Sequence, residues 1–106
     1  MHEMVMDTEM DDAKLYLVAK MTAREGMGEE LLGRLIEMTQ LSRVENGSVF
    51  YDLHVDQSDP NTFCFVECWQ CRMDWDVHMT TDHVKALMAD EGRLTTGIDI
   101  TLLNRL

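Results

Sequence analysis

Residues 48–70 read SVFYDLHVDQSDPNTFCFVECWQ. Two runs rich in β-branched and aromatic residues, Ser48 to Asp56 and Thr62 to Gln70, flank the turn cluster Gln57-Ser58-Asp59-Pro60-Asn61. Runs so close in sequence pair as an antiparallel hairpin. Upstream, Gly28 to Val44 carries helical spacing, with Leu31, Leu32, Leu35, Ile36 and Met38 as its apolar stripe. Glu29 and Glu30 sit at the positive N-terminal end of that helix, and Asn46-Gly47 supplies residues that tolerate a left-handed stop. Before it, Lys14 to Ala23 alternates as a strand and Arg24-Glu25-Gly26 turns the chain. Downstream, Arg72 to Met79 and Asp82 to Asp90 read as short helical pieces, the second opened by a Thr81 or Asp82 cap. Gly97 to Leu103 alternates again as a fourth strand. The order βαββαβ predicts an α+β, ferredoxin-like domain with helices over one face of its sheet.

At 106 residues the chain is long enough for one core. Residues 14–106 form that domain, and residues 1–13 read as an acidic N-terminal tail: Glu3, Asp7, Glu9, Asp11 and Asp12 alternate with methionines and no Lys or Arg intervenes. A tail that packs on a partner subunit through its methionines is the alternative. Nine basic against twenty acidic residues gives a net charge of -11, which would repel phosphate, so neither nucleic acid nor an anionic membrane is expected as a partner. No apolar run is long enough to span a bilayer, and the start lacks the pattern of a secretory signal, so a cytoplasmic location is expected.

Alternation sorts the hairpin into two faces. Val49, Tyr51, Leu53 and Val55 with Cys64, Val66 and Cys68 make the more compact set, suited to close packing under helices. Phe50 and His54 with Phe63, Phe65, Glu67 and Trp69 make the other. Left bare, four aromatic residues would form a larger apolar patch than monomers usually expose. A two-fold homodimer is therefore expected, with a mixed apolar and polar cavity between the two sheets.

The stretch from Arg24 to His83 resembles the antibiotic biosynthesis monooxygenase domain family. Its features are Arg24-Glu25-Gly26 before a helix, Glu45-x-Gly47, Tyr51-Asp52-Leu53-His54-x-Asp56 and Asp59-Pro60, then Phe65-x-Glu67-x-Trp69 and His78-x-x-Thr81-x-His83. The resemblance implies a dimeric α+β barrel and, for some members, oxygenation of phenols, quinols or polyketide anthrones without metal or flavin. Other members degrade haem or isomerise a small phosphorylated dione. The haem branch uses an asparagine on the first strand and a histidine in the later helix. Here Leu17-Val18-Ala19-Lys20-Met21 has no asparagine, and Val84 to Ala89 has no histidine. A phosphorylated dione would want several cations in the cavity, and Lys20 is the one obvious candidate.

His78, Glu67 and His54 are the candidate catalytic residues; Trp69, Phe50 and Phe65 are the candidate substrate-binding ones. Glu67, buried among aromatic residues, would have a raised pKa and exchange protons near neutrality. His78 paired with Glu67, or His54 on strand two, would be a base able to ionise a phenol. The ring of Trp69, at a position that lines the ligand pocket in the family, would pack on substrate together with Phe50 and Phe65. Each also has a structural reading: Trp69 as core, Glu67 as a fold-holding partner, the histidines as satisfied polar groups, His83 as a capping-region residue. Cys64, Cys68 and Cys71 with His78 and His83 form a string that invites a zinc assignment, but Cys68 points into packing and the middle spacing is short. Free thiols, no metal and no cofactor are expected. The function expected is a monooxygenase of small aromatic quinols, phenols or polyketide-like substrates, with dioxygen as co-substrate. The alternatives are the dione isomerase and a non-catalytic ligand-binding or stress-response domain.

Overall fold

The computed structural model describes residues 14–106; the acidic tail, solvated or docked, lies outside the described residues. Four strands and three helices follow in the order β1 (Leu15–Ala23), α1 (Gly28–Arg43), β2 (Ser48–Val55), β3 (Thr62–Trp69), α2 (Arg72–His78), α3 (Asp82–Leu94) and β4 (Thr95–Leu103). The strands make one antiparallel sheet in the order β2-β3-β1-β4, the ferredoxin-like arrangement.

Local chemistry accounts for the elements. The β2–β3 turn is pinned by Asp56 accepting from the Ser58 amide and Asp59 from the Asn61 amide and the Thr62 hydroxyl. Thr81 caps α3: its Oγ1 accepts from the Val84 amide and donates to the His78 carbonyl, tying the end of α2 to the start of α3. That helix runs four residues beyond the expected Asp90, because Leu94 is fully buried and Arg93 grips Asp90 and Glu30. In α1 the buried face is Leu31, Leu35, Met38 and Ser42, while Leu32 and Ile36 face solvent; the contact stripe is narrower than the run of apolar residues.

Register overturns the expected sorting of β3. Tyr51 pairs with Glu67 and Leu53 with Phe65, and on the other side Leu17 pairs with Glu67 and Ala19 with Phe65. Directly opposed residues share a face, so Phe63, Phe65, Glu67 and Trp69 point at the helices with Tyr51 and Leu53. All four are buried. Residue bulk is the wrong guide here because Ala19 on β1, directly opposite Phe65, leaves room beside that ring. Cys64, Val66 and Cys68 lie on the opposite, helix-free face with Phe50 and His54.

Candidate functional site

A mostly apolar cavity lies between the sheet and the helices. It has a volume of about 50 Å³ and is walled by apolar side chains, among them Met38, Phe65, Met79 and Leu87, with three polar residues, Tyr51, Glu67 and His78. Met88 and Ile100, both exposed, stand at its mouth.

Glu67 enters from the centre of the sheet, flanked by Tyr51 and Leu17. Its Oε1 accepts from Trp69 Nε1 at 2.9 Å. Burial pushes the carboxyl up to about 7, the Trp69 hydrogen bond holds it back, and the negative charge of Glu45 adds to the rise. The Tyr51 phenol, buried beside Glu67, is held well above its ordinary range, first by burial and then by the Glu67 charge. It is a neutral hydroxyl throughout the physiological range.

His78 ends α2 and is 3% exposed. Its ring packs on Trp69, centroids 4.7 Å apart, and on the edge of Tyr51 at 5.5 Å. Burial lowers its pKa, despite the opposing effect of its hydrogen bond to Glu45, and so favours a neutral imidazole. The partner of its Nδ1 is Glu45 Oε2 at 2.8 Å, not Glu67. The same oxygen is 2.7 Å from His83 Nε2. A carboxylate oxygen only accepts, so both rings donate to it, and His78 carries its proton on Nδ1.

Glu45 reaches this position through a tight local fold. The Glu45 amide donates to the Ser42 carbonyl at the end of α1, and Ser48 donates to the Glu45 carbonyl. Gly47, at φ +87°, passes so close to α2 that a side chain there would run into Asp74. The Gln70 amide donates to the Gly47 carbonyl and locks the loop to the end of β3. Glu45-x-Gly47 thus works as a unit: the glycine lets the loop slip under α2, and the glutamate meets the two histidines.

The expected site residues divide. Glu67, His78 and Phe65 line one cavity. Trp69 does not border it; completely buried, it holds Glu67 with its indole N–H and backs the His78 ring, so it positions both groups instead of stacking on substrate. His54 and Phe50 are exposed on the far face, His54 opposite Cys64 and Phe50 beside Tyr16. Neither reaches the cavity, because each has the opposite parity to Tyr51 along β2. Glu45 and Tyr51 are the site residues that the sequence reading missed. Glu45 stood in a recognised motif, but nothing in its spacing announces a partner 33 residues away. No Lys or Arg lines the cavity; Lys20 is exposed on the helix-free face, so the charge a phosphorylated dione would need is missing there. The three cysteines are free, and burial raises the pKa of the Cys64 and Cys68 thiols, which makes them poor nucleophiles.

Fold and cavity together define a class: a small ferredoxin-like α+β domain that buries a carboxyl of raised pKa and an imidazole of lowered pKa under its helices. Residues 15–90 match the family described as antibiotic biosynthesis monooxygenase, and the chain belongs to that family. A structure titled PA3566 from Pseudomonas aeruginosa is similar at 32% identity and a TM-score of 0.85, over 89% of this chain and 95% of that one. A structure titled antibiotic biosynthesis monooxygenase is 27% identical with a TM-score of 0.81, over 87% of this chain and 98% of its own. Rv0793 from Mycobacterium tuberculosis, 24% identical with a TM-score of 0.83 over 88% and 95%, shares the fold. No curated protein matches the chain. Among the described residues no helix is long and apolar enough to cross a membrane.

Proposed function

We propose that this protein is a cofactor-independent monooxygenase of small aromatic quinols or phenols, acting as a homodimer in the cytoplasm. The observation that carries the reading is the cavity itself: Glu67 with a carboxyl pKa of about 7 and His78 with a lowered one line the same apolar space. Glu67 can exchange a proton near neutrality and the neutral His78 can accept one, the two roles that general acid–base chemistry requires. His78 uses Nδ1 for Glu45, which leaves Nε2 to take a phenolic proton. The quinolate then gives one electron to dioxygen, and the radical pair joins to form a carbon–oxygen bond. Loss of the ring proton at that carbon breaks the O–O bond. One oxygen stays on the ring and the other leaves as water, with Glu67 or the protonated His78 supplying the proton. The quinol is its own reductant: quinol plus dioxygen equals hydroxyquinone plus water.

The cavity of about 50 Å³ is a third of the ~150 Å³ that accommodates benzene, so substrate must displace side chains. Met38, Met79 and Met88 are suited to that, being unbranched and adaptable. The dimer is supported by the helix-free face, where Tyr16, Phe50, Val66 and Leu103 leave apolar area uncovered. Light scattering should give about twice the 12.3 kDa chain mass, and a monomer would remove the dimer without touching the cavity. The test of the activity is oxygen uptake with a panel of quinols, with the hydroxyquinone identified by mass. Binding of quinols without oxygen uptake would make this a ligand-binding domain instead.

A further inference from the structure

Glu45, His78 and His83 come from three separate elements, yet one ligand atom of each lies within 4.8 Å of the others. His78 Nδ1 and His83 Nε2 both converge on the same carboxylate oxygen, at 2.8 and 2.7 Å. We propose that these three side chains form a binding site for a single divalent cation of the zinc class. Two imidazole nitrogens and a carboxylate oxygen are the donor set of three-ligand zinc sites, which keep a fourth position open. Borderline cations such as Zn²⁺ and Co²⁺ suit it better than Mg²⁺ or Ca²⁺, which prefer all-oxygen shells.

The surroundings are built for such a site. The His78 ring is wedged against Trp69 and Tyr51, its carbonyl is held by Thr81, and Gly47 keeps the Glu45 loop pressed beneath α2. Locked ligands lose little freedom when they bind. Access comes from outside: a groove of about 110 Å³ between α1 and α3, lined by Glu37, Leu41 and Ala86 among others, opens onto His83. Arg34 also borders this groove, but its charge is matched by Asp90 at 3.1 Å. The excess of acidic residues over the whole chain favours cation approach.

Zinc replaces the two N–H hydrogens that now point at Glu45, so each ring must carry its proton on the other nitrogen. For His78 that is Nε2, the nitrogen that would serve as base in the cavity. Bound metal and a basic His78 therefore exclude one another, and zinc becomes an inhibitor of the proposed oxygenation. The binding site stands on its own residues and does not depend on that reaction.

The test is titration of chelator-stripped full-length protein with Zn²⁺ by calorimetry and with Co²⁺ by visible absorption. One ion per chain at micromolar affinity or tighter is expected, with Co²⁺ d–d bands of an N/O site and no thiolate charge-transfer band. Glu45→Gln and His83→Ala should each weaken binding by roughly 10²-fold or more. The Cys64→Ser/Cys68→Ser/Cys71→Ser variant should bind as the parent does. Circular dichroism checks that each variant folds, and the wild-type Co²⁺ spectrum decides the ligand type even if one does not. Absence of stoichiometric binding, a thiolate band, or unchanged affinity in both Glu45→Gln and His83→Ala would overturn the site and leave the cluster as a hydrogen-bonded pin. Zinc binding that leaves turnover unchanged would keep the site and remove His78 as the base.

Discussion

The two faces of the sheet are built from the same strands and do opposite work. Under the helices, Leu17, Ala19, Met21, Tyr51, Phe65 and Trp69 close around Glu67. On the far side Lys20, His54 and Asp99 stand in solvent among Phe50 and Leu103. A carboxyl on the first face is forced toward neutrality by burial, whereas Lys20, His54 and Asp99 on the second stay exposed to water. The same strands bury an ionisable carboxyl on one side and leave ionisable side chains exposed on the other.

The largest difference between the faces should appear on deleting an aromatic ring from each. Trp69→Ala leaves a cavity and strips Glu67 of its donor, so urea unfolding should show a loss of about 3–5 kcal/mol. Phe50→Ala, 36% exposed, should cost under about 1 kcal/mol in the monomer and act mainly on self-association. Equal losses would mean the far face is as closed as the near one.

The next effect is on pH. Glu67 has a folded pKa raised above its unfolded value, so its contribution to stability is fully present below about pH 4.5 and is lost as pH rises through about 7. The loss is of order 3 kcal/mol. His78 works the other way: its folded pKa is depressed, so its contribution is present above about pH 6.5, the unfolded value, and lost as pH falls. Thermal melts of wild type minus Glu67→Gln cancel the histidine. That difference should move against the wild type between pH 5 and 8. A flat difference would contradict a buried Glu67.

Much of this contrast was legible in the sequence. The element order, the Thr81 cap and the stop at Asn46-Gly47 follow from local chemistry, and local chemistry is what a sequence displays. The burial of Glu67 followed from its neighbours Phe65 and Trp69. Which way those neighbours point did not, because alternation fixes parity within a strand but not which parity faces the helices. Deciding that required the pairing of Tyr51 with Glu67, a relation across the hairpin. Glu45 escaped for a similar reason: its link to His78 is closed by the fold, through a loop that Gly47 bends under α2.

A smaller effect probes that loop. Gly47→Ala meets both a left-handed backbone and Asp74, and should cost about 1–3 kcal/mol. Gly33→Ala in α1 has open space around it and should stabilise by about 0.5–1 kcal/mol. Denaturation midpoints that shift the same way would contradict the close approach of the Glu45 loop to α2.

The central claim is that proton chemistry belongs to the helix-covered face. It is tested most directly by oxygen uptake on a quinol that the wild type oxidises, measured side by side for His78→Ala and His54→Ala. The account predicts a fall of about 10²–10⁴-fold for His78→Ala and wild-type turnover for His54→Ala. Loss of activity in His54→Ala with His78→Ala unaffected would place the chemistry on the open face and contradict it.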